Sequence, residues 1–165
     1  MLQVAFKADV AMAAIRRAIR LMDDMTPIYA DIAEYMVGAT KDRFETGTAP
    51  DGRKWAPKSQ TTIDRYRRSK EGRSAGIKPL IGPSRRLGNE MFRFSSRDGA
   101  LIGSNLIYSG VMQRGAAQGA FGRTARGGPI PWGRIPARAW LGLSRSDEKE
   151  IVDIVEEKLG GMLQG

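Results

Sequence analysis

The chain has 165 residues, 41% hydrophobic and 27% charged. That mixture excludes wholesale disorder and suits one domain, residues 1–165, with a core of its own. It holds no cysteine and no histidine, which removes disulfides, thiolate and imidazole metal sites, and Ser-His or Cys-His catalysis together.

No apolar run approaches the ~20 residues of a membrane span. The first twelve residues, with an acid at Asp9, lack the uninterrupted apolar stretch of a signal peptide. The expectation is a soluble protein made in the cytoplasm, with no cofactor and no membrane partner.

The net charge of +9 is unevenly spread. Residues 1–46 hold 6 basic and 7 acidic groups, residues 47–146 hold 19 and 5, and residues 147–165 hold 2 and 6. From Gly99 to Ser146 there are six arginines and no acid. Three readings follow. The basic centre faces a polyanion such as DNA, which carries one charge per ~1.7 Å of axis. Or the acidic tail of one copy meets the basic middle of the next. Or the surface is merely solvated, which aids solubility.

In chain order, Leu2–Phe6 alternates as a short strand would. Asp9 can cap a helix whose stripe is Met12, Ile15, Ile19 and Met22. Thr26-Pro27 restarts a second helix, with Thr26 as cap and Ile28, Ile32, Tyr35, Ala39 and Phe44 on one face. Gly47 ends it. Residues 47–58 form a turn-rich loop anchored by Trp55.

The run Arg65–Arg73 is basic and poor in apolar residues, so residues 64–78 are expected to be mobile. Asp98-Gly99 predicts a hairpin joining Met91–Ser95 to Ala100–Gly103. Leu106–Met112 reads as a short helix carrying Tyr108. Residues 114–134 are rich in Gly and Arg and cannot make a core alone, so they too are expected to be mobile or in use as a binding loop. Ile135–Leu143 reads as extended. A last helix follows, capped by Ser146, striped by Ile151, Ile154, Val155 and Leu159, and ended by Gly160-Gly161.

The expected fold class is α+β: an N-terminal helical pair (within 1–46) and a C-terminal helix (147–165) packed on a small antiparallel sheet with long basic loops (47–146).

Motifs for catalysis are weak. GTAPDGRK, residues 47–54, has P-loop glycine spacing, but Arg53-Lys54 replaces the Lys-Ser/Thr pair that touches phosphate and magnesium. Ser146-x-x-Lys149 matches a Ser-Lys nucleophile pattern literally, yet sits beside acids where a helix cap explains it. Asp31, Glu34, Asp42 and Glu45 decorate a polar helix face; a carboxylate hydrolase is a third-rank hypothesis resting on them. No catalytic, metal or cofactor-binding residue is assigned. Trp132 and Trp140 flank Arg134 and Arg138, and Trp with Arg is what interfaces concentrate. The bland alternative places Trp140 in the core and Trp132 over a loop.

The order of landmarks resembles a known family. A helical third ending in Phe44 precedes Pro50-Asp51-Gly52, Trp55-Ala56-Pro57 with Ser59 and Thr61, Leu80-Ile81-Gly82 with Arg86-Leu87, Ile102-Gly103-Ser104-Asn105 and Tyr108. A Gly/Arg loop then leads into IPARAWLGLS, residues 135–144, and a final amphipathic helix. This is similar to the phage virion morphogenesis, or tail completion, family of tailed bacteriophages and Mu-like prophages. Two departures stand out: Ala139 where the family commonly has Pro, and Met112-Gln113 where it often has His-Gln.

The resemblance implies a non-enzymatic ring of six or twelve copies at the virion neck, surrounding the DNA path. Its implied partners are connector and tail-terminator proteins, with non-specific contact to packaged DNA. Expected partner and oligomer contacts are Trp132, Arg134, Arg114, Arg123 and Arg126, together with Arg138 and Trp140 as the anchor of that surface. Trp55, Pro57 and Tyr108 are expected structural anchors. The alternative is a basic nucleic-acid-binding protein without catalytic activity.

Overall fold

The computed structural model describes residues 12, 13, 15, 16, 19, 20 and 23–164. The expected strand at Leu2–Phe6, the Asp9 cap and Met22 lie outside the described residues. A helical stretch carrying Met12, Ile15, Ile19 and Asp23 comes first. Then follow α1 (Thr26–Thr46), α2 (Gln60–Arg68), a 3-10 helix (Glu71–Ala75), α3 (Arg86–Asn89), β1 (Phe92–Ser96), β2 (Gly99–Gly103), α4 (Ser109–Arg114) and α5 (Arg145–Gln164). The fold is α+β. α1 is its central element: the β1–β2 hairpin, α3 and α5 all pack on it.

α1 starts where Pro27 needs no amide partner. The cap is not Thr26: the Thr26 amide donates to Asp24 Oδ1 at 3.1 Å, which also holds the Asp24 carboxyl below its ordinary range. At the far end Gly47 adopts φ 68° and its amide returns to the Arg43 carbonyl at 2.8 Å, a left-handed closure that a side chain resists. Ile28 and Phe44 are buried as the stripe predicts, while Ala33, Met36, Thr40 and Arg43 are buried beside them. Thr40 satisfies its hydroxyl on the Met36 carbonyl at 2.7 Å.

The hairpin pairs antiparallel from Phe92–Gly103 to Ser96–Gly99 around Arg97-Asp98, so Gly99 opens β2. A lone two-stranded hairpin is marginal in water, and α1 supplies the cover it needs. α4 begins three residues later than the expected helix, with Tyr108 as its cap residue.

α5 begins with a reciprocal box: Ser144 Oγ accepts from the Asp147 amide at 3.1 Å, and Asp147 Oδ2 accepts from the Ser144 amide at 2.7 Å. Ser144, not Ser146, is therefore the cap. The helix also runs through Gly160-Gly161 to Gln164.

Residues 64–78, expected to be mobile, hold the end of α2 and the 3-10 helix, elements that the low apolar content concealed. Ser59 caps it, accepting from the Thr62 amide at 3.3 Å. Phe44, Trp55, Leu87 and Trp140 form the buried cluster. Phe44 meets Trp55 edge-on at 5.4 Å and Trp140 at 6.0 Å, geometries worth ~0.5–1.5 kcal/mol each beyond area burial.

Candidate interaction surface

Residues 135–144 make a belt that ties distant loops to the core. Arg138 is 8% exposed; its Nε donates to the Ala56 carbonyl at 2.6 Å and its NH2 to the Pro57 carbonyl at 2.8 Å. Burial lowers its pKa. Trp140 is 3% exposed and donates its indole N–H to the Ser109 carbonyl at 3.2 Å. Trp55, also buried, donates its indole N–H to the Ala139 carbonyl at 2.8 Å. The Ala139 amide makes no hydrogen bond within the described residues, so a proline there would forfeit none.

Gln113 clamps the belt. Its Oε1 accepts from the Trp140 and Leu141 amides at 2.9 and 3.0 Å, and its Nε2 donates to the Leu141 carbonyl at 2.7 Å. Arg43 secures the next turn, donating to the Gly142 carbonyl at 2.7 Å and forming a buried ion pair with Asp147. Tyr35 donates its hydroxyl to Asp147 at 3.1 Å. Thus the surface predicted from Arg138 and Trp140 is anchored by buried residues, and neither of the two is presented to solvent.

What is presented is an arm. Ala116 and Ile135 exchange backbone bonds at 2.9 and 2.8 Å. Beyond that pinch residues 116–135 fold back on themselves: Phe121 donates to Ile130, Ile130 to Gly122 and Thr124 to Gly128, at 2.7 to 2.8 Å. Trp132 is 79% exposed, and Phe121 and Ile130 are exposed with it. Arg114, Arg123, Arg126 and Arg134 are exposed as well, and none has a carboxylate partner within the described residues.

A cleft of about 710 Å³ opens between α2, the 79–87 loop, α4 and the belt. Lys58, Arg65, Arg86, Arg134 and Arg138 line it, and no acid does. Lys58 Nζ donates to the carbonyls of Ala75, Gly76 and Ile81 at 3.0, 2.8 and 2.7 Å; burial, and then the Arg138 charge, lower its pKa. Its ammonium also lies 4.9 Å from the centre of the Tyr66 ring. Pro57 and Tyr108, expected anchors, are exposed and line the same cleft.

Three of the four carboxylates considered for hydrolysis are held in ion pairs elsewhere. Asp31 pairs with Lys158 of α5 at 2.7 Å, Glu45 with Lys78 at 2.9 Å, and Glu34 with Arg93 of β1. The P-loop-like segment is a closed turn whose Lys54 Nζ donates to the Thr46 carbonyl at 2.9 Å, at the C-terminus of α1.

Sequence reasoning missed Arg43, Gln113, Lys58 and Asp147. The Ser144-x-x-Asp147 capping spacing was the one readable signal among them.

The α+β core thus holds out an acid-free arm beside a cationic cleft, and sequence comparison gives the chain a family. The chain belongs to the phage virion morphogenesis family, whose sequence profile matches residues 8–160. It is similar to "Putative capsid assembly protein G" of Escherichia phage Mu, 27% identical over 157 residues that cover 91% of this chain and 93% of that protein. No solved structure matches it. No described helix is long and apolar enough to cross a membrane.

Proposed function

We propose that the chain is a structural, non-enzymatic component of the phage neck that acts at tail completion and head–tail joining. It works as a closed ring of six or twelve copies around the DNA path, with connector and tail-terminator proteins as neighbours. The observation that carries this reading is the arm. Trp132, Phe121 and Ile130 stand exposed among arginines that have no carboxylate partner within the described residues, on a core that is otherwise tied down. Exposed apolar groups in a polar rim mark contact surfaces, and Trp and Arg dominate interface energetics. Membership of a virion morphogenesis family supplies the setting.

Native mass measurement of the purified protein, with protein analysis of purified virions, tests it. A closed ring and presence in the particle are expected. A strict monomer absent from virions overturns the reading. The nucleic-acid alternative predicts tight, steeply salt-dependent duplex binding; filter binding at two salt concentrations separates the two.

A further inference from the structure

We propose that the cationic cleft is the seat for the acidic face of α5 from a second copy of this chain. The inference rests on the ring reading and names the surfaces that would join its members.

The cleft asks for a carboxylate-bearing occupant. Lys58 and Arg138 donate to backbone carbonyls and to no carboxylate within the described residues. Those neutral acceptors take the three Lys58 protons and two of the five Arg138 N–H protons, and they leave both positive charges uncancelled. Burial first, and then the Arg138 charge beside it, lower the Lys58 pKa. Arg86 has Glu90 at 2.6 Å. Arg65 and Arg134, both exposed on the lining, have no carboxylate within the described residues. Tyr66, Tyr108, Leu87 and Met112 give the walls apolar area against which an aliphatic side chain can seat.

The same chain carries the complement. On α5, Glu148, Val152 and Glu156 recur at four-residue spacing on one stripe, and all three are exposed. Neither glutamate makes an ion pair within the described residues. The stripe thus offers two carboxylates around an apolar residue. In its own chain α5 packs on α1, through the half-buried Ile151, Ile154 and Val155, which leaves the acidic stripe free. Cleft and stripe are different surfaces, so their contact is head-to-tail and propagates to a closed ring when the rotation closes.

The experiment is a charge exchange on the full chain, read by sedimentation velocity. Arg65→Glu/Arg134→Glu and Glu148→Lys/Glu156→Lys change exposed positions, and circular dichroism verifies that each folds. Each doubly substituted protein should associate at least about tenfold more weakly than wild type, because like charges then face each other. Mixing the two should restore association, since opposite charges again meet at every junction between the two variants. Wild-type association that both variants reproduce overturns the seat while the ring stands. A wild type that stays monomeric overturns the seat, and the ring reading falls with it where the protein is also absent from virions. Loss of salt-dependent duplex binding in Arg65→Glu/Arg134→Glu, with association intact, gives the cleft to nucleic acid and overturns the proposal.

Discussion

Arg43 of α1 and Asp147 of α5 form a buried ion pair across 104 positions of sequence. Around it the Asp147 carboxylate also accepts from Tyr35 and from the Ser144 amide. One carboxylate therefore caps a helix, joins two helices and closes the belt at Gly142 through Arg43. Arg43→Ala leaves that carboxylate buried without its counter-charge, which should cost about 3–5 kcal/mol. Urea unfolding measures it, and a loss below about 1 kcal/mol would show that the pair is dispensable.

The same site sets the acid limb of stability. Burial opposes ionisation of Asp147, but hydrogen bonds from Ser144, the Arg43 charge and the Tyr35 hydroxyl outweigh it and hold its pKa below the ordinary 3.8. A folded value below the unfolded one gives stability that is whole above about pH 4 and lost as pH falls through the folded value. Asp147→Asn should therefore flatten the dependence of unfolding free energy on pH in that range. At the alkaline end Tyr35 is pushed up to about 12, by burial first and then by Asp147. Its contribution is whole below about pH 10 and fades as pH rises towards 12; Tyr35→Phe should remove that slope, read by the same unfolding series.

Gln113→Ala removes three hydrogen bonds that fix the Trp140-Leu141 backbone. A loss of about 2 kcal/mol is expected, since two amides and a carbonyl lose their partner. Thermal unfolding checks it, and an unchanged midpoint would mean that the belt holds without its clamp.

Arg138→Ala should act on the fold. It strips the Ala56 and Pro57 carbonyls of a charged donor, a change of about 2–3 kcal/mol. In infected cells heads and tails should still form separately while joining fails for want of folded protein, and growth at lower temperature should recover titre. Normal titre at every temperature would remove the residue from any part in assembly.

Trp132→Ala is the opposite case. At 79% exposure the side chain contributes little to the fold, so stability should stay within about 0.5 kcal/mol of wild type. Infectious particle yield should fall. A drop in melting temperature with unchanged yield would place Trp132 in the core account and not at a partner.

Local signals in the sequence were legible: Pro27 at the start of α1, Gly47 at its end, the Asp98-Gly99 turn and the Ile151–Leu159 stripe each specify their element within a few residues. What stayed hidden depends on separation or on polarity. Arg43 and Asp147 carry no mutual mark across more than half the chain. Gln113 looks like any amide until its backbone partners arrive from Trp140 and Leu141. α2 is masked by its arginines, although Ser59 as cap and Ile63 with Tyr66 three apart were its faint trace. Among the residues expected at a partner surface, composition could not separate Arg138 and Trp140, which are buried, from Trp132 and Arg134, which are exposed.

The arm leaves and rejoins the body at a single throat. Gly115 has φ 75°, and a Cβ there would lie 2.6 Å from the Ile135 carbonyl oxygen, so the throat tolerates only glycine. Past it, lengthening a tether is cheap, since each doubling costs only about 0.6 kcal/mol of closure entropy. Residues 117–133 can therefore change in length as well as in composition at little cost to the body, because only the throat at Gly115, Ala116 and Ile135 fixes where they leave and return.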